Sequence, residues 1–278
     1  MKKKLIVYVS LLGLLVSSNV VLDKQAMSLE KKIDIHQKTE HHDTINVVAH
    51  RGYSCLYPDN TLSGIDACGD INCIDGIEVD VRLTKDDQLV LFHESGVNFC
   101  DVSSYTYEEL SNINVDNYIK KRRNFKGYTL KELTLLEKRY DSLMVEEASL
   151  CTLNDALRVR DKSKLLFVDL KFSGYHDDIL ISKVASLLHN EENVIIQSFD
   201  EKLLSTMQKA YPELKYQLLI NHSNQLERID YRFDGYGIKY KILNEDIVQD
   251  LINHGKIVSI WTIDNYKEFT RLHDTYSQ

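Results

Sequence analysis

Val47-Val48-Ala49-His50-Arg51-Gly52 opens the stretch that decides how this chain is read, and Pro58-Asp59-Asn60-Thr61, Ile77-Glu78-Val79-Asp80-Val81 and Leu91-Phe92-His93-Glu94 follow it closely. Two apolar runs, Val47 to Ala49 and Leu89 to Phe92, have the make-up of buried strands, and each leads directly into a histidine. Each imidazole is therefore expected at a strand's exit. Glu78 and Asp80 alternate with Ile77, Val79 and Val81, and the period of two in a strand sends both carboxylates to one face. Two like charges that close repel unless positive charge lies between them, and a divalent cation is the simplest way to supply it. Two histidines, an arginine and two carboxylates in one short segment suit metal-assisted chemistry on a phosphate ester.

Around this stretch, a chain of 278 residues that is 43% hydrophobic and 27% charged has enough apolar material for one sizeable core. One domain spanning 46–278 is the expectation. The net charge of -8 argues against a nucleic-acid surface, because phosphate backbones demand clustered lysine and arginine. The partner suggested instead is small, or is presented by another surface.

The N-terminus reads as a targeting segment. Lys2-Lys3-Lys4 precedes the apolar run Leu5 to Val16, and Val16-Ser17-Ser18 offers small residues where a signal peptidase acts. Apolar character resumes at Val20-Val21-Leu22, which brings the run toward the roughly 18 residues of a membrane span. Residues 1–22 are thus read as a signal peptide or an uncleaved anchor, and both predict a secreted or extracytoplasmic, membrane-anchored domain. Residues 23–45 read as a polar linker, in which the pair His41-His42 is better explained by solvation than by metal binding. Cys55, Cys68, Cys73, Cys100 and Cys151 form no CxxC pair, which argues against a zinc site. An oxidising compartment would allow one or two disulfides among them and leave an odd thiol.

Beyond the linker, strand patterns alternate with helical ones, the mark of βα units around a parallel sheet. Strands are expected at Asn46-Ala49, Gly76-Arg82, Leu89-His93, Lys164-Lys171, Asn193-Phe199, Tyr216-Ile220, Gly235-Lys239 and Ile257-Ile263. Helices are expected at Thr61-Cys68, Leu153-Arg160, His176-His189, Glu201-Ala210, Asn244-His254 and Tyr266-Thr275. The segment 95–149 is long for a connection and reads as an insertion that forms a lid or small subdomain.

With these residues in place, the chain resembles the glycerophosphodiester phosphodiesterase family, whose fold is a TIM-type (β/α)8 barrel. The resemblance is carried by His50-Arg51-Gly52, Asp59-Asn60-Thr61, Glu78-Val79-Asp80, Thr84-Lys85-Asp86 and His93 in the family's order and spacing. Asp169-Leu170-Lys171, Gln197-Ser198-Phe199 and Trp261-Thr262-Ile263-Asp264 extend it through most of the chain from Val47 to Asp264. It implies that His50 and His93 are an acid-base pair, and that Glu78, Asp80 and Asp169 hold one divalent cation, Ca2+ or Mg2+. It further implies that Arg51 and Lys171 contact phosphate and that Trp261 lines the glycerol pocket. Oxygen-only ligands suit a hard cation, and parallel barrels gather their chemistry at the C-terminal ends of the strands.

Three departures qualify the resemblance. Asp169 stands where the family usually has glutamate, which withdraws the carboxylate by roughly 1.5 Å. Glu94 follows the second histidine where aspartate is common. After Trp261 the chain ends without the family's final strand, so seven core parallel strands are countable if Leu89-His93 is an excursion. The barrel is therefore expected to be incomplete or open at its C-terminus unless another segment fills the gap, because unpaired strand edges are costly. The function implied is metal-dependent hydrolysis of glycerophosphodiesters to an alcohol and glycerol 3-phosphate. Rivals are a lipid phosphodiesterase of the lysophospholipase D or sphingomyelinase D kind, with Tyr105, Tyr107 and Tyr118 as candidate apolar lining, and a catalytically silent barrel that only binds.

Overall fold

The parallel run Gly76–Leu83 (β3) is buried along its whole length, as a strand covered on both faces must be. The computed structural model describes residues 5–9, 45–54, 57–72, 74–113, 149–172, 177–263 and 266–276. The pair His41-His42, Cys55, Cys73, Tyr118 and Asp264 lie outside them.

Each strand expected from sequence is found within a few residues of its place: Ile45–Ala49 (β2), β3, Leu89–Leu91 (β4), Leu165–Leu170 (β7), Val194–Ser198 (β8), Tyr216–Ile220 (β9), Gly235–Lys239 (β10) and Ile257–Ile263 (β11). The short strands Gly96–Val97 (β5) and Cys100–Asp101 (β6) form a separate hairpin. Helices Leu62–Ala67 (α1), Leu153–Val159 (α3), Asp177–Leu188 (α4), Glu201–Ala210 (α5), Glu245–Asn253 (α7) and Tyr266–Tyr276 (α8) match the helical patterns. Tyr107–Asn112 (α2) and Ser223–Leu226 (α6) are additional. Helix starts are chemically marked: Thr152 and Asp155 form a capping box on α3, and the side chains of Asp200 and Asn244 accept backbone N–H donors at the starts of α5 and α7.

The expected opening at the C-terminus is not there. Leu5–Val9 (β1), part of the apolar run read as a leader or anchor, lies in parallel between β11 and β2, with Leu5 opposite both Val258 and Ile45. Since β2 also pairs with β3, the sheet closes on itself. Eight parallel strands form the barrel, and β4 folds back antiparallel on β3 as the anticipated excursion. The barrel thus draws on residues that sequence reading had put outside the 46–278 domain. Leu5-Ile6-Val7-Tyr8-Val9 fits a strand because it is rich in β-branched residues and wholly buried. Among the described residues, no helix is long and apolar enough to cross a membrane.

Strand alternation then divides the core in two. Leu5, Val7, Val9, Ile77, Val79, Val81, Leu166 and Val168 face outward to the helices, whereas Ile6, Tyr8, Val48, Phe167 and Ile195 cluster inside the barrel. A third apolar cluster, containing Val90, Phe92, Val97, Val102 and Leu110, anchors the described first part of the 95–149 insertion beside β4. Tyr105 and Tyr107 pack against that cluster, where their hydroxyls donate to the Val97 and Leu150 carbonyls.

Candidate active site

Inward-facing polar residues fall in register on neighbouring strands: Asp80 lies opposite Asp169, Asp169 opposite Gln197, and Gln197 opposite Gln217. Tyr8, Gln197, Gln217 and Ser259 form a buried polar layer inside the barrel. The Tyr8 hydroxyl donates to Gln197 Oε1 at 2.6 Å, and Gln217 Nε2 lies 2.9 Å from Tyr8 Oη and 2.7 Å from Ser259 Oγ. Burial raises the Tyr8 phenol well above its ordinary value, so it stays protonated and can donate.

Above this layer a cavity of about 180 Å³ is lined by all eight residues singled out from sequence: His50, Arg51, Glu78, Asp80, His93, Asp169, Lys171 and Trp261. Tyr8, Gln197, Phe199, Leu219 and Thr262 complete the wall. His50 follows directly on β2, His93 leaves β4, and Lys171 and Phe199 directly follow β7 and β8. The C-terminal ends of the strands therefore converge on one pocket.

The turn after β2 is built to aim its side chains. Arg51, Gly52 and Tyr53 all have positive φ, at 55°, 68° and 62°. Glycine suits the middle position because that conformation is unstrained for it. The Arg51 backbone N–H donates to Glu78 Oε2 at 2.9 Å, and the Gly52 N–H donates to the Glu78 carbonyl at 3.1 Å. The Arg51 guanidinium donates to Asp59 at 2.9 Å and lies 3.4 Å from Asp80. Asn60 grips Asp80 twice, donating from Nδ2 to Oδ2 at 2.9 Å and accepting the Asp80 backbone N–H at 3.0 Å. Asn60 thus orients a carboxylate twenty residues away in sequence.

The acidic trio is buried, with Glu78, Asp80 and Asp169 at 2%, 1% and 3% exposure. Each offers an oxygen, and the three ligand atoms lie within 4.8 Å of one another. Asp169 Oδ1 is enclosed without a hydrogen-bond partner, which is the condition of an oxygen ready to meet a cation. The shorter Asp169 side chain therefore does not remove that position from the cluster. The donor set is hard oxygen throughout and fits a divalent cation. Lys171 Nζ currently balances part of this charge, at 2.9 Å from Asp80 and 2.5 Å from Asp169.

Burial acts to raise all three carboxyl pKa values. Glu78 rises well above the usual range because the charges of Asp80 and Asp169 add to burial. Asp169 rises through burial against the opposing pull of Lys171. In Asp80 burial is overcome by Lys171 and Arg51, which hold it well below the usual carboxylate value. Burial opposes charge on Lys171 as well, yet Asp80, Asp169 and Glu78 raise its pKa.

The two histidines differ. His50 Nε2 lies 3.9 Å from Glu78, and burial followed by the Arg51 charge lowers its pKa well below that of an ordinary histidine. It is neutral at pH 7 and able to take a proton. His93 Nδ1 lies 3.3 Å from Glu94, while Arg82 donates twice to the His93 carbonyl, at 2.8 Å and 3.3 Å. Trp261 is half-buried and meets Phe199 edge to face at 5.4 Å between ring centroids. Tyr8 was missed by sequence reading because it sits in a run with the character of a leader, although Ile6, Val7 and Val9 around it signal a strand.

A model of the glycerophosphoryl diester phosphodiesterase family matches residues 50–276. The glycerophosphodiester phosphodiesterase of Caldanaerobacter subterraneus subsp. tengcongensis is 27% identical over 240 residues, covering 81% of this chain and 88% of its own. The barrel is similar to that of an Oleispira antarctica phosphodiesterase solved with the product sn-glycerol-3-phosphate, at TM-score 0.65 and 20% identity over 82% of this chain and 89% of that one. It is also similar to the Thermotoga maritima glycerophosphodiester phosphodiesterase, at TM-score 0.61 and 22% identity over 85% of this chain and 94% of that one. These likenesses support the eight-stranded closed barrel.

Proposed function

Because the chain belongs to the glycerophosphoryl diester phosphodiesterase family, we propose that it hydrolyses a glycerophosphodiester to an alcohol and glycerol 3-phosphate, with His50 and His93 as acid-base pair. The observation that carries this reading is the convergence of both imidazoles, three buried carboxylates and two cations on one pocket.

Glu78, Asp80 and Asp169 would hold the divalent cation, and Ca2+ and Mg2+ are the ions their oxygens suit. When bound, such an ion offsets the negative charge of the phosphodiester and of its transition state. The remaining work belongs to the side chains. Neutral His50 takes the proton of the attacking hydroxyl, whether this is water or a neighbouring hydroxyl of the substrate. His93, whose Nδ1 is engaged by Glu94, gives a proton through Nε2 to the departing alkoxide, so that the oxygen leaves as an alcohol. Arg51 and Lys171 direct positive charge into the pocket where oxygens of the ester gather charge. Asp59, Asp80 and Asp169 keep these cations in place. Trp261 and Phe199 offer an apolar wall to the glycerol carbons.

Phe199, which lines the pocket and remains 39% exposed, favours one variation on this reading. An apolar residue at the mouth is what a lysolipid substrate of the lysophospholipase D kind would use. The experiment is release of glycerol 3-phosphate from glycerophosphocholine with calcium or magnesium, beside EDTA and His50→Ala controls, and release of choline from lysophosphatidylcholine in a parallel arm. Equal background product from wild type and His50→Ala on all substrates and ions would defeat the enzymatic reading. Turnover of the lysolipid alone would move the substrate to the lipid class.

A further inference from the structure

We propose that the N-terminal strand Leu5–Val9 is a permanent working part of the barrel, and that Tyr8 is a positioning residue through which it supports the catalytic pocket. The Tyr8 arm of this proposal rests on the hydrolase reading above, whereas retention of the strand stands on geometry alone.

Three observations carry it. The strand fills the gap between β11 and β2, pairing over Leu5 to Val7 and at Val9 with one neighbour and over all five residues with the other. Without it, Val258 to Ile260 and Ile45 to Ala49 would each face an unpaired edge, and backbone groups buried in the barrel wall would lose their partners. Second, its last carbonyl, that of Val9, accepts the backbone N–H of His50 at 3.2 Å. The strand thus holds the main chain of a predicted catalytic residue at the point where it leaves β2. Third, Tyr8 projects inward, lines the pocket and stands edge-on to Phe167 at 5.2 Å. Its hydroxyl and Gln217 Nε2 both lie against Gln197 Oε1, at 2.6 Å and 2.9 Å. Two donors on one amide oxygen fix which way the Gln197 carboxamide faces at the cavity wall.

The consequence is a conflict between two fates of the same residues. Leu5 to Val9 belong to the apolar run that reads as a leader or anchor, and cleavage after Ser18 would sever them from the barrel they close. A chain that has lost them keeps His50, Glu78 and Lys171 in sequence but lacks the strand that closes the ring beside His50. Active protein should therefore retain residues 5–9.

The test uses full-length protein with a C-terminal tag, produced in an export-competent host and fractionated by folding and activity. Intact mass of the folded fraction is expected to include residues 5–9. A folded fraction beginning at Asn19 would overturn the proposal. A chain expressed from Asn19 should lose its cooperative thermal transition and regain it on addition of a synthetic peptide of residues 1–12, and a full-length-like transition without peptide would overturn retention. Tyr8→Phe keeps the ring and the strand. It should lower kcat about tenfold, the scale of losing a group that orients site residues, while KM stays within about twofold and the thermal transition is retained. Wild-type kcat in Tyr8→Phe would overturn the positioning role. If full-length protein hydrolyses nothing, the hydrolase reading and the Tyr8 role built on it fail together, while mass and melting still decide the strand's retention.

Discussion

Asn60 and Asp80 are joined by a reciprocal pair of hydrogen bonds, side-chain amide to carboxylate at 2.9 Å and backbone N–H to amide oxygen at 3.0 Å. Asn60 has φ of 60°, a conformation asparagine and glycine accept more readily than other residues. The pair locks the turn after His50 to the strand that bears the acidic trio. Asn60→Gly tolerates the backbone and removes both bonds, so it isolates their worth. Divalent-ion affinity and kcat/KM should fall by about 10–100-fold, the usual cost of losing a group that orients a metal ligand. Asn60→Asp, which sets a second negative charge against Asp80, should fall further. Calorimetric titration with Mg2+ and Ca2+ checks both, and wild-type affinity in Asn60→Gly would remove the orienting role.

The histidines supply a second prediction. Replacing either His50 or His93 with alanine should lower kcat by about 10²–10⁴ if each moves a proton in the transition state. Because burial and Arg51 depress His50, the acidic limb of kcat/KM should lie below the ordinary histidine value of about 6.5. The stability effect has a definite sign. The unfolded chain binds the His50 proton more readily than the folded one, so this residue's contribution is fully present above about pH 6.5 and is lost as pH falls from there toward the depressed folded value. His50→Gln should flatten that part of the pH dependence in urea melts, and an unchanged slope would contradict the assignment.

These residues were legible in sequence because their signals are local. His50, His93, Glu78 and Asp80 sit in or beside short apolar strands whose period-two pattern fixes their face without tertiary knowledge. Asp169 and Lys171 are two apart at the end of a run and had to share a side. What escaped notice depends on distance in sequence. Tyr8 meets Gln197 across 189 positions, and Asn60 meets Asp80 across 20. The missing last strand was recognised as a structural debt, but its solution lay in residues whose apolar character equally suits a leader. Hydrophobicity alone does not distinguish a buried parallel strand from an h-region. The β-branched content at Ile6, Val7 and Val9 favours the strand.

Lys171 gives a third prediction. It sits among three buried carboxylates, and removing one partner of a buried ion pair leaves the other uncompensated. Lys171→Met should destabilise the ion-free protein by about 3–5 kcal/mol. Added divalent cation replaces the lost positive charge and should recover part of this, about 2.7 kcal/mol at an ion concentration 100 times its Kd. Urea melts in EDTA and in saturating Mg2+ or Ca2+ measure both figures. A variant whose stability is the same with and without ion would argue that the trio does not take the cation.

Glycine in β10 offers a test of how tightly the polar layer is coupled to the pocket. A Cβ on Gly237 would lie 2.5 Å from Leu219 Cδ2, 3.0 Å from Ser259 Oγ and 3.1 Å from Gln217 Nε2. Leu219 lines the cavity, and Gln217 and Ser259 are fully buried, so relief of the clash must move either the wall or the layer beneath it. Gly237→Ala should therefore cost about 1–3 kcal/mol of stability, as overpacking does, and lower kcat/KM as well. Gly255→Ala provides the contrast. Gly255 has φ of 74° with open space around a Cβ, so alanine there meets strain of about 1–2 kcal/mol without touching the site. Stability should fall in both variants, while kcat/KM should fall only in Gly237→Ala. If both glycine variants retain wild-type kcat/KM, the packing of the barrel interior is not what sets the shape of the pocket.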